Sequence, residues 1–224
     1  MKKPSLKTCV ATAAALMLSG MAALGANTAA SAQNSVENTR DRILDSLQND
    51  PDVPKVAPAG YDATIIIFSD YQCPYCHQIH PTLEKLLRED RKLRIVYRDW
   101  PIFGAVSTEA ARAAMASRYQ GKHAAFNDAL LSTKGRLSSE GIRQAAASAG
   151  VDWARLQADL ARHRTEINGA IARTDHYARI IGLSGTPALI VDSYLLPGAV
   201  SEETLKEAVQ HARRNQAARA AEQI

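Results

Sequence analysis

The sequence predicts an α/β fold: a mixed central sheet whose two halves are separated by a helical insertion. Three observations carry this. A β-branched run, Thr64-Ile65-Ile66-Ile67, leads into a helical pattern that opens on a Cys-x-x-Cys pair, Cys73 and Cys76. A second strand pattern, Leu93–Asp99, follows that helix. A third and fourth, Thr186–Val191 and Tyr194–Leu196, come only after a long helical stretch and precede a last helix. Both halves are needed to build one sheet, so the helical block reads as an insertion, at about residues 104–182.

The first 32 residues read as a secretory signal. Lys2, Lys3 and Lys7 form a basic start, Val10 to Leu24 an apolar run, and Ala30-Ser31-Ala32 a cleavage signal. Ser19, Gly20 and Gly25 interrupt the run, which suits cleavage better than membrane spanning. Removing 1–32 from the 224 residues leaves 192, enough for one domain with a well-buried core or for a domain plus an appendage. It also leaves 24 basic against 23 acidic residues, so the net charge of +4 falls to +1. That balance gives no reason to expect a nucleic-acid partner.

Residues 33–60 read as an N-terminal helix and a linker. Val36, Ile43, Leu44 and Leu47 recur at roughly helical spacing, and Asp50-Pro51 ends the pattern. Pro54, Pro58 and Gly60 mark a linker-like stretch. The main domain then runs over 61–224. Thr64–Phe68 is the kind of apolar run found in strands buried on both faces. The helix after Cys73 reaches about Arg91, with Ile79, Leu83, Leu86 and Leu87 on its apolar side and Pro81 inside it. In the helical block, Ser107-Thr108-Glu109 opens a helix to Gln120, and His123–Ser132 forms the next. Ser138 starts another that ends at Gly150, and Trp153–His163 and Ile167–Ile181 complete the block. Pro197-Gly198 closes the terminal hairpin, and a helix from about Ser201 to Arg214 follows.

The chemistry sits in Phe68–Pro81, FSDYQCPYCHQIHP. Of three cysteines, Cys9 goes with the signal. A lone pair closing so small a loop constrains the unfolded chain little, which favours reactivity over stapling. A helix start offers free N–H groups and the positive end of a dipole, and both stabilise a thiolate. Cys73 is therefore expected to be the exposed nucleophile and Cys76 the inner, resolving thiol. Pro74, Tyr75 and His77 are candidates for tuning the pair, His77 through its protonation. Three other readings use the same residues. Zinc could take Cys73, Cys76, His77 and His80, but these crowd into one turn and a half with no distant second pair. Cys73–His77 spells the haem-attachment string C-x-x-C-H, but neither the preceding strand nor Pro81 serves such a site. Copper could use the same thiols and histidines. The redox reading is preferred, with no metal and no cofactor.

The strand, the C-x-x-C pair and the helix proline together resemble the thioredoxin superfamily. Within it, FSDYQCPYC, Tyr97–Phe103 (YRDWPIF) and Gly185-Thr186-Pro187 resemble the DsbA-like proteins, in particular the ScsC (suppressor of copper sensitivity) branch. The match runs from about Asp62 to Ala212. It implies a thioredoxin fold and a protein thiol–disulfide oxidoreductase. It also implies a cis-proline loop at Thr186 and Pro187 that faces the thiols and binds substrate. The location implied is the periplasm. The partners implied are exported proteins with cysteines and a membrane redox partner, DsbB-like or ScsB/DsbD-like. Relatives act as monomers or as oligomers built through the N-terminal helix, so an oligomeric isomerase or reductase linked to copper tolerance is the alternative. Many relatives carry a buried acid six residues before the first cysteine, where this chain has Ile67; Asp70 is a candidate substitute, although a turn or cap role suits it better. Asp99 is assigned to the strand end and His80 to structure.

Overall fold

A computed structural model describes residues 35–222. The expected signal segment lies outside the described residues. The chain divides into two units, Met1–Ser46 and Leu47–Ile224. Helix α1 spans 35–49. Within the first unit its described residues are helical, and Val36 is exposed. The second unit, Leu47–Ile224, carries the sheet.

Its strands are β1 (Lys55–Val56), β2 (Ala63–Ser69), β3 (Leu93–Asp99), β4 (Ala188–Val191) and β5 (Tyr194–Pro197). They form one sheet in the order β1-β3-β2-β4-β5. β2 and β3 are parallel, with Ile65 opposite Ile95 and Ile67 opposite Tyr97. The other pairs are antiparallel. A parallel pair needs a crossover, and α2 (Pro74–Glu89) supplies it. All seven residues of β2 and all seven of β3 are buried, as the unbroken apolar run of β2 requires. Ile65, Ile67, Ile95 and Tyr97 face the helices α2 and α8 (Glu202–Glu222), where Ile79, Leu83, Leu86, Leu205 and Val209 complete the core. Each such aliphatic side chain contributes about 1.5–3 kcal/mol on burial. Between β3 and β4 lie α3 (Ala105–Ser117), a short 3-10 turn (Arg118–Gln120), α4 (His123–Leu131), α5 (Ser139–Ser148), α6 (Trp153–Arg162) and α7 (Arg164–Ile181).

Local capping explains several boundaries. Ser138 accepts a hydrogen bond from Gly141 N and starts α5; Asp152 accepts one from Arg155 N and starts α6. Gly182, at φ +79°, ends α7 in the left-handed conformation that glycine tolerates best.

Three expectations need correction. The stretch read as a linker contains β1: Lys55 pairs with Val96 and Val56 with Ile95, while Pro54 O accepts a hydrogen bond from Tyr97 N at 3.0 Å. Leu47 and Val53 are buried, so the domain begins near Leu47 rather than at 61. A buried cation anchors this segment. Arg98, on β3, donates to Leu47 O and to Asp50, and Arg173 of α7 also bonds Asp50 and Asp52. Second, α3 starts at Ala105 after Gly104, not at Ser107, because Ser107 is turned inward to Asp70. Third, β4 starts at Ala188, since Thr186 and Pro187 form a bend before it. The last helix, α8, runs on through the polar tail to Glu222.

Candidate functional site

β2 delivers the chain to a tight loop, Asp70–Cys73, and α2 departs from it. Cys73 is the N-cap residue and Pro74 the first helical residue. Proline suits that place, since its missing N–H would go unpaired there anyway. Cys73 makes no side-chain cap bond. The backbone closes around it instead, with Cys76 N and His77 N donating to Cys73 O at 3.0 and 3.2 Å.

The structure brings Cys73, Cys76 and Thr186 together. Cys73 Sγ lies 3.1 Å from Thr186 O, to which its protonated thiol form donates, and the Thr186–Pro187 bond is cis. Both cysteines are free thiols. Cys73 is not exposed as expected: it and Cys76 are each 1% exposed. The Thr186 loop closes over Cys73, while Pro74 and Tyr75 form the outer surface, Tyr75 being 62% exposed.

The two thiols are driven apart in acidity. Cys73 is pulled down to about 5, chiefly by the Cys76 thiol donating to it. Burial opposes this, and Thr186 with the N–H groups of Cys76 and Tyr75 adds to the lowering. Cys76 is pushed far above the ordinary thiol range by holding its proton for Cys73 and by burial. The pair shares one proton, kept on Cys76, and presents the charge at Cys73.

The histidines are directed elsewhere. His77 Nε2–H donates to Tyr71 O at 2.8 Å, so His77 braces the loop. His80 is buried, with Nε2 2.8 Å from Asp128 Oδ1, and ties α2 to α4. Among the described residues no group of three His, Cys, Asp or Glu side chains is placed to hold a metal ion.

Two carboxyls flank the loop. Asp70 accepts from Gln72 N and Ser107 Oγ at 2.7 Å, and from Ile102 N and Phe103 N at 2.7 and 3.0 Å. It fastens the Trp100–Gly104 turn to the cysteine loop, which is the turn role. Asp99 is more than the end of a strand. It is buried, its Oδ1 meets only the Tyr71 hydroxyl at 3.1 Å, and its Oδ2 has no partner. Burial pushes it up to about 7, against the Tyr71 hydrogen bond, and the Asp70 charge adds to the rise. Tyr71 also approaches Asn127 Oδ1 at 3.2 Å. Sequence reasoning did not mark Asp99 or Tyr71 as site neighbours. Asp99 lies on the same face of β3 as Tyr97, the partner of Ile67, and that alternation was the available signal.

Residues 64–210 match the DSBA-like thioredoxin domain. The chain belongs to this family. Its domain is accordingly of the thiol–disulfide oxidoreductase type on a thioredoxin fold. Solved structures agree. A thioredoxin-like oxidoreductase from Silicibacter pomeroyi is 39% identical, with a TM-score of 0.72 over 76% of this chain and 97% of that one. The thiol-disulfide exchange protein alpha-DsbA2 from Wolbachia pipientis is 26% identical, with a TM-score of 0.73 over 80% and 97%. A periplasmic thioredoxin-like protein from Salmonella enterica serovar Typhimurium is 28% identical, with a TM-score of 0.66 over 77% and 96%. A curated relative, a Na(+)/H(+) antiporter NhaA from Salinispora arenicola, is 31% identical over 163 residues, 71% of this chain. The chain spans about a quarter of the length of the curated relatives it matches.

Proposed function

We propose that the protein forms or exchanges disulfides in exported proteins, using Cys73 as the exchanging sulfur and Cys76 as the resolving one. One observation carries this: two adjacent buried thiols at a helix start, one acidified to about 5 and the other driven the opposite way. In the oxidising direction the pair begins as a disulfide. A substrate thiolate attacks Cys73 Sγ, a mixed disulfide forms, and Cys76 leaves as a thiolate and takes a proton. A second substrate thiolate then attacks the first substrate sulfur. The substrate disulfide closes and Cys73 leaves as a thiolate. A low pKa at Cys73 makes it a good leaving group and stabilises the reduced enzyme, which favours oxidation of the substrate. Thr186 and Pro187 would hold the substrate segment beside Cys73 as an added strand.

The periplasm is the proposed compartment. The secretory pattern of residues 1–32 supports it, as does the likeness to a protein described as periplasmic. Within the family the YRDWPIF stretch, whose Ile102 and Phe103 N–H groups Asp70 holds, favours the ScsC branch. A membrane redox partner would reoxidise the pair. The apolar pattern Val36–Leu47 is shorter than three heptads, which favours a monomer; light scattering on the mature chain and on one starting at Leu47 should give monomers for both.

The test is exchange with a dithiol peptide, together with the reduction potential against glutathione. Cys73→Ser should abolish exchange, and the potential should lie nearer about −120 mV than about −270 mV. Retained exchange in Cys73→Ser would contradict the assignment.

A further inference from the structure

A cleft of about 500 Å³ opens beside the first turn of α2. Gln72, Pro74 and His77 form one wall, and Thr133, Arg136 and Leu137 of the α4–α5 loop form the other. It adjoins Cys73 through Pro74, on a side formed by the helical insertion rather than by the Thr186 loop. Its lining carries a guanidinium, an imidazole and a carboxamide, and among the described residues no carboxylate. Lys134 lies exposed on the same loop. Neither Arg136 nor Lys134 meets an acidic partner among the described residues. Asp70 is engaged by its four donors and Asp128 by His80, while Glu109 accepts from Ser139 Oγ and Glu140 from Gln144 Nε2.

The loop that carries these cations is held at both ends. Thr133 Oγ1 donates to Leu130 O at 2.7 Å, Leu137 is buried, and Ser138 caps α5. Gly135, at φ +78°, makes the turn between them. The charge of Arg136 therefore stands over the start of α2 on an anchored segment, not on a free arm. Fixed cations beside a reacting sulfur raise the local concentration of anionic partners and select among them.

We infer that this cleft is a specificity site for client polypeptides bearing an aspartate or glutamate next to the cysteine that exchanges with Cys73, with Arg136 taking the carboxylate. The inference rests on the reading of Cys73 as the exchanging sulfur. Lys134, exposed on the same loop, adds a second cation beside it. Gln72, on the opposite wall, is itself held, its side-chain amide donating to Phe103 O and Ser107 Oγ.

The test uses the oxidised mature chain and two single-cysteine peptides identical except for Glu or Gln beside the cysteine. Rates of mixed-disulfide formation are compared at low and high ionic strength. The Glu peptide should react about threefold or more faster at low salt, and the two rates should converge as salt screens the charges. Arg136→Gln should lower the Glu-over-Gln ratio about threefold, and Arg136→Glu should invert it. Equal rates in the unaltered protein, or a ratio indifferent to both substitutions, would overturn the inference. So would an Arg136 dependence confined to reduced glutathione, a small dicarboxylate thiol, because the cleft would then serve a metabolite rather than a polypeptide. A peptide that mass spectrometry maps to Cys76 rather than Cys73 in the trapped mixed disulfide would instead overturn the reading beneath it.

Discussion

Asp70 and Asp99 are two carboxyls at the ends of neighbouring strands, both almost fully buried, and they have opposite fates. Asp70 is met by four donors, two of them backbone N–H groups of the Trp100–Gly104 turn. Asp99 is met by one hydroxyl and leaves an oxygen unpaired. A buried carboxylate with several N–H and O–H partners is a fastening, whereas one with a single partner is a titrating group. The same rule separates the Arg98–Asp50–Arg173 knot, which anchors the segment after α1, from the thiol pair, whose single shared proton leaves one sulfur reactive.

The largest effect should come from removing the fastening. Asp70→Ala leaves four donors without their acceptor and should cost about 3–4 kcal/mol in urea unfolding. Asp70→Asn, which can still accept at one oxygen, should recover part of it. An Asp70→Ala protein as stable as the parent would break the contrast.

The second prediction concerns Asp99, and its sign is opposite. The folded-state value near 7 lies above the unfolded value of about 3.9, so ionisation costs the folded state. The cost is absent below about pH 4, grows between pH 4 and 7, and is constant above 7. Asp99→Asn should therefore stabilise the protein at pH 8, on the order of 2 kcal/mol, and do little at pH 4. Thermal unfolding at the two pH values reads this directly; equal effects at both would place Asp99 with Asp70.

A smaller effect is expected at Tyr71. Tyr71→Phe removes the one donor to Asp99 and a contact to Asn127, for about 1 kcal/mol. It should also raise the Asp99 titration midpoint, visible as a shift in the pH at which stability falls.

These contrasts also explain which parts of the molecule could be read from the sequence. β2 was legible because a strand buried on both faces reads as an apolar, β-branched run, as Thr64–Phe68 nearly does, and β3 was legible from its Ile95-Val96-Tyr97 centre although Arg94, Arg98 and Asp99 are buried in it as well. The cysteine pair was legible because its spacing and the helix behind it are local. β1 was not: it has two residues between prolines, with Lys55 exposed, and exists only because β3 offers it an edge. Cys73 was placed at the helix start correctly but not in its burial, because the group that touches it, Thr186, is 113 residues away along the chain. Asp99 was read only as a strand end for the same reason; the Tyr71 hydroxyl that meets it comes from the cysteine loop and is itself in reach of Asn127 on α4.

The central claim is that Cys73 carries the charge of the thiol pair at neutral pH. The most direct measurement is the rate of alkylation of Cys73 by iodoacetamide in the reduced protein, followed by mass spectrometry from pH 3 to 9. Because the folded-state value is depressed, the reduced protein should also lose stability as pH falls through that midpoint. The rate should rise with a midpoint near 5 and stay level above pH 7. A midpoint near about 8.5, the value of an ordinary thiol, would contradict the account.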